Sequence, residues 1–159
     1  MPVPLKERYF EDYTSGESFE LGAYPVTEAE VVSFARRYDP QAFHVDPVLA
    51  RQSIYGGLIA SGWHTGSIMM NLLAEHFIAP GSSMGSPGVD EVRWPRPVRP
   101  GDVLRVRVTV IDKRRSVSKP DRGLLRLRQE CINQRGETVM SLNAMVFCRC
   151  RVARGGRSS

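Results

Sequence analysis

Residues 62 to 77 constrain the fold of this chain more than any other stretch. They read as one long helix with Trp63, Ile68, Met69, Met70, Leu72, Leu73, Ala74 and Phe77 spread over most of its sides. A helix that is apolar nearly all round predicts burial on most of its surface. From Gly88 the period changes from helical to two. Val103 to Ile111 alternates strongly, and Leu124 to Ile132 does the same. Asn133 to Gly136 is a hairpin turn, and Thr138 to Val152 is the strand that returns from it. Val89, Val92 and Trp94 open a further strand, which Pro95 and Pro97 interrupt with a bulge or bend. A sheet that is apolar on one face must be covered, and the long helix covers it if the sheet curls around the helix.

Ahead of the helix, residues 1–16 read as an arm laid over the domain, and Ser18 to Val26 as a first strand. Thr27 and Glu30 form a capping box for a helix whose apolar stripe is Val31, Val32, Phe34, Ala35 and Tyr38. Asp46-Pro47 starts a short helix over roughly Pro47 to Ser53, and Lys113 to Arg122 reads as a basic hairpin loop. The order is one strand, short helices, one long helix and four antiparallel strands. The expected class is α+β, an antiparallel sheet wrapped around a central helix in the hotdog arrangement. The expected organisation is a single domain over residues 1–159, with a basic tail at about 153–159.

Composition narrows the function classes. The chain is 42% apolar and 25% charged, with no apolar run near the roughly 20 residues that span a bilayer. The N-terminus lacks the apolar centre of a signal peptide, so the expectation is a cytoplasmic protein that does not enter membranes. Net charge is +5. No helix-turn-helix, aromatic RNA-binding motif or zinc finger accompanies it, so no nucleic-acid partner is expected, and a phosphate-bearing small molecule suits the charge equally well. Cys131, Cys148 and Cys150 have no framework spacing and read as small core residues; no metal site is expected.

The chemistry-bearing residues gather between Asp39 and Thr65. Pro40 holds Asp39 out of the α region at the exit of a helix. His44 follows five residues later, and the two can share a water or a substrate proton. Ser61 is a good N-cap for the long helix. Gly62 lets backbone approach a ligand at a helix N-terminus, where unpaired N–H groups suit an oxyanion. Read singly, Asp39 is an ordinary turn residue and Gly62 a packing glycine. Asp46 is a helix cap, and Gly56 and Gly57 are turn residues. Trp63 is expected in the core, and His64 as a hydrogen-bonded core histidine.

Taken together, Asp39, Gln41, His44 and Asp46 resemble the motif of the MaoC-like dehydratases, which include the (R)-specific enoyl-CoA hydratases. Leu58-Ile-Ala-Ser-Gly-Trp63 is similar to that family's lead-in to its central helix, and Gly88 to Asp102 to its following strand and turn. The resemblance covers roughly residues 8 to 152. The chain departs from many relatives with Ala42 in place of proline and Ser61 in place of histidine. It has Met70 where some hydratases carry a serine near the substrate.

The resemblance implies a hydratase or dehydratase acting across the 2,3 bond of an acyl-CoA thioester, with Asp39 and His44 catalytic. Gly62, Gln41 and Ser61 would serve the oxyanion and substrate, and coenzyme A would enter only as part of the substrate. A thioesterase on the same architecture is the second reading, and a non-catalytic acyl-CoA-binding module the third. Fold alone does not separate them. Unpaired sheet edges lead to the expectation of a homodimer or a dimer of dimers, with the acyl channel at or near the interface.

Overall fold

The computed structural model describes residues 1–151. A five-stranded antiparallel sheet, order β1-β3-β4-β5-β2, is built from β1 (Ser18–Pro25), β2 (Gly88–Arg93), β3 (Val103–Arg115), β4 (Arg122–Ile132) and β5 (Thr138–Arg149). Four helices complete it: α1 (Glu28–Tyr38), α2 (Ala42–Val45), α3 (Pro47–Arg51) and α4 (Gly62–His76). The hotdog arrangement holds, with α4 lying in the curve of the sheet. Alternation on β3 buries Leu104, Val106, Val108 and Val110 completely, as a half-buried antiparallel strand requires. Ile68, Met69, Leu72 and Leu73 of α4 pack onto that face in one core cluster.

The arm over residues 1–16 carries two single-turn 3-10 helices, Leu5–Glu7 and Phe10–Asp12, and is pinned by its side chains. Phe10 and Tyr13 are buried in the core. Phe10 covers Gly123 so closely that a Cβ there would lie 2.2 Å from its ring. Arg8 is also buried, bound to Glu17 at 2.8 Å with its guanidinium over the Tyr13 and Phe19 rings. The expected tail at 153–159 lies outside the described residues.

Several expectations need correction. Helix α4 is buried on one face only: Trp63 is 63% exposed and Met70 is 53% exposed. Trp63 is therefore not core; it projects from the first turn and packs edge-on against Trp94 with ring centroids 5.1 Å apart. The β2 bulge precedes the prolines, falling between Asp90 and Arg93, where Glu91 takes φ 54°. The basic loop is shorter than expected, because pairing continues to Arg115↔Gly123 and leaves residues 116–121 as the turn. Strand β5 ends at Arg149, and α3 ends at Arg51. Thr27 caps α1 by accepting from the Glu30 N–H, yet the Glu30 side chain does not return to complete the box. Its carboxylate instead accepts from the Tyr24 hydroxyl and meets His64 Nε2 at 3.3 Å. That hydrogen bond to a carboxylate pushes the Tyr24 phenol up to about 12. Among the described residues no helix is long and apolar enough to cross a membrane.

Candidate active site

Asp39 caps the C-terminus of α1, with its N–H donated to the Ala35 carbonyl at 2.8 Å and its own backbone out of the helical region at φ −155° and ψ 68°. The one-turn helix α2 then reverses the chain and returns His44 to Asp39. His44 Nε2 stands 3.2 Å from Asp39 Oδ2. The His44 ring is buried, while the Asp39 side chain keeps 19% exposure. His44 Nδ1 lies 2.6 Å from the Ile59 carbonyl oxygen. A carbonyl only accepts, so Nδ1 carries a proton, and Nε2 is the ring nitrogen free to exchange one with Asp39 or a water. Phe43 packs edge-on to the imidazole at 4.5 Å and holds its tilt.

The Asp39 carboxylate has two further polar neighbours. Gln41 Nε2–H donates to Oδ1 at 2.6 Å, and the nearby Ser61 hydroxyl also favours the ionised carboxylate. Burial would raise the Asp39 carboxyl, but the Gln41 bond, the Ser61 hydroxyl and the His44 charge outweigh it and hold the group below its ordinary range. Ser61 is fully buried and caps α4 by accepting from the Trp63 N–H at 3.3 Å. One serine thus caps the central helix and stands beside the acid.

Gly62 is the first residue of α4, so its N–H has no partner within the helix. Its close approach is already used by protein. The indole of Trp94 lies against it, and a Cβ at this position would stand 2.6 Å from Trp94 Cε2. Trp94 Nε1–H donates to the Gly62 carbonyl at 2.9 Å. Asp39, Gln41, His44, Ser61 and Gly62 therefore converge on one place. Asp46 does not join them; it caps α3 by accepting from the Val48 and Leu49 N–H groups.

Arg96 and Arg99, on the segment after β2, are held within the protein. Arg99 donates to the Tyr55 carbonyl at 2.6 Å, and Arg96 pairs with Glu137 at 3.2 Å. Two contributors escaped the sequence reading. Ile59 acts through its backbone, which leaves no trace in residue type. Trp94 could have been paired with Gly62 only through a contact 32 residues long.

A cavity of about 560 Å³ runs along α4 from Trp63 to Phe77, between the helix and the inner face of β4 and β5. Trp63, Gly66 and Met70 line it on the helix side; Asp39 and His44 do not. The pair and the cavity meet at the first turn of α4, where Ser61 stands near Asp39 and Trp63 faces the cavity.

Fold and site together define a hotdog protein with an acid–imidazole pair at the N-terminus of its central helix. The chain belongs to the MaoC-like domain family, whose model matches residues 12–124. It is similar to the MaoC-like dehydratase from Rhodospirillum rubrum, a solved structure. That protein is 39% identical with a TM-score of 0.86, over 92% of this chain and 99% of the other. It is 28% identical to the uncharacterized protein YdeM of Bacillus subtilis, over 79% of this chain and 87% of that one. It is 30% identical to the mesaconyl-CoA hydratase of Cereibacter sphaeroides over 91% of this chain, which spans only 42% of that longer protein.

Proposed function

We propose that this protein hydrates a 2-enoyl-CoA thioester to the 3-hydroxyacyl-CoA, or runs the same step in reverse. The observation that carries the reading is the Asp39–His44 contact, with Nδ1 of His44 occupied by the Ile59 carbonyl and Nε2 turned to the carboxylate. Membership of a family that includes hydratases, and the likeness to a mesaconyl-CoA hydratase, support it.

In hydration, a water admitted between the carboxylate and the imidazole presents its oxygen to C3. The carbon–oxygen bond forms as the C2–C3 π pair moves toward the thioester. The pair takes one water proton and returns a proton to C2. The Gly62 N–H, at the positive end of α4, accommodates the enolate oxygen. Gln41 and Ser61 keep Asp39 ionised and aimed, a positioning role. Each positioned acid or base contributes about 10²–10⁴-fold. Coenzyme A takes part only as the carrier half of the substrate.

The working unit in this proposal is a dimer. Trp63, Met70 and Val89 are about half exposed or more around the cavity, and the neighbouring strand β2 is a sheet edge. A second copy covers both.

The test follows the enoyl-thioester absorbance with crotonyl-CoA and longer or branched 2-enoyl-CoAs, with free thiol measured in the same samples. Loss of absorbance without thiol is expected. Thiol release would instead assign a thioesterase, and binding without either change would assign a non-catalytic module.

A further inference from the structure

Strand β4 turns Gly123, Leu125, Leu127, Gln129 and Cys131 toward the core. Four of these suit an inward face, and Gln129 breaks the pattern. It is 7% exposed and lies directly across from Val108 on β3 and Leu142 on β5, neither of which can bond it. Its amide makes no side-chain hydrogen bond to any of the described residues, yet its atoms are not closed off from solvent, and it lines the cavity beside Leu127 and Leu142. An amide open to a cavity keeps its donors and acceptor available to a ligand, and such departures from the apolar pattern concentrate at functional positions.

The register shows where along the cavity the amide stands. A Cβ on Gly66 would meet Met140 at 3.3 Å, and Met140 pairs with Cys131, one inward step from Gln129. The opposite end is formed by Tyr13, Phe77, Ser82 and Cys148. Gln129 therefore lies toward the first turns of α4, on the Gly62 side. Among the described residues no Lys, Arg or His lines the cavity. A carboxylate entering it would meet no cation and would lose its hydration, whereas an amide satisfies a neutral donor or acceptor.

We infer that Gln129 is a specificity determinant that reads a neutral hydroxyl or oxo group carried on the acyl chain a few carbons beyond the thioester. The inference rests on the acyl-thioester reading above and narrows its substrate class to acyl groups with one neutral polar substituent on an otherwise aliphatic chain.

Binding tests it apart from catalysis, because Trp63 lines the cavity and reports occupancy by fluorescence. The probes are saturated thioesters that cannot be hydrated: hexanoyl-CoA, 4-oxo-, 5-oxo- and 6-hydroxyhexanoyl-CoA, and adipyl-CoA as the carboxylate. The protein is expected to bind at least one oxo or hydroxy compound about threefold or more tighter than hexanoyl-CoA, with adipyl-CoA weakest. Gln129→Leu should reverse that order without lowering the melting temperature. Equal affinity for polar and alkyl chains, or uniform weakening of every probe by Gln129→Leu, would overturn the inference. Crotonyl-CoA hydration is measured beside it. Loss of hydration with the binding order intact would overturn the hydratase reading alone, and no binding of any acyl-CoA would overturn both.

Discussion

Replacing Gly62 by Ala places a methyl group 2.6, 2.8 and 3.0 Å from three atoms of the Trp94 indole. No real Cβ tolerates the first two distances, so one group must move. Helix α4 is anchored in the core, whereas Trp94 is 40% exposed, so the indole swings outward. It then loses the hydrogen bond to the Gly62 carbonyl, worth about 0.5–1.5 kcal/mol. It also loses its edge-on contact with Trp63, worth about 0.5–1.5 kcal/mol. Alanine returns up to about 1 kcal/mol through helix propensity. The net expectation is a destabilisation of about 1–2 kcal/mol, read by urea unfolding followed by far-ultraviolet circular dichroism. In a Trp94→Ala background there is nothing to displace, and Gly62→Ala should be neutral or slightly stabilising. Effects that simply add within about 0.5 kcal/mol would refute the contact. Turnover should follow the same cycle, because the substitution leaves the Gly62 N–H in place and disturbs only what leans on it.

Gln41→Leu should raise the pH at which the site fails in acid. The Asp39 carboxyl is held below its ordinary range despite its burial, so its contribution is complete above the unfolded value and lost as pH falls through the folded one. Removing the Gln41 bond raises the folded value, and the acid limb of kcat/KM should move up; an unmoved limb would contradict the assignment. Burial pushes the Cys131 thiol up to about 12 and raises Cys148 as well, so a thiol reagent at pH 8 should label both only after denaturant is added. Light scattering should give a dimer at micromolar concentration, and Met70→Asp with Val89→Asp should give a folded monomer; a wild-type monomer would remove the dimer from the proposal.

Much of the fold was legible because its signals are local. Thr27, Asp46 and Ser61 each accept the N–H groups their cap positions demand, and Gly136 takes the positive φ that closes its hairpin. The alternation on β3 and β4 is strong enough to state which side chains face inward. What escaped was long-range or too short to carry a period. A four-residue helix such as α2 shows no stripe, yet it returns His44 to Asp39. Composition could not say that Trp63 points outward, since an outward apolar face and an inward one look alike in a helix. Glu30 fits its capping box locally, and the Tyr24 hydroxyl and His64 outcompete that bond in the folded protein. The motif Asp39, Gln41, His44 brought the site residues into view, but the lock on His44 comes from the Ile59 carbonyl and so from the fold.

The most direct measurement is kcat/KM on the best 2-enoyl-CoA for the wild type, Asp39→Asn, His44→Gln and the double variant, each verified as folded by circular dichroism. The expected result is a fall of about 10²–10⁴-fold for either single variant. The double variant should lose little more, because the two groups handle one proton as a unit. Either single variant retaining more than a tenth of wild-type kcat/KM would contradict the assignment of hydration to this pair.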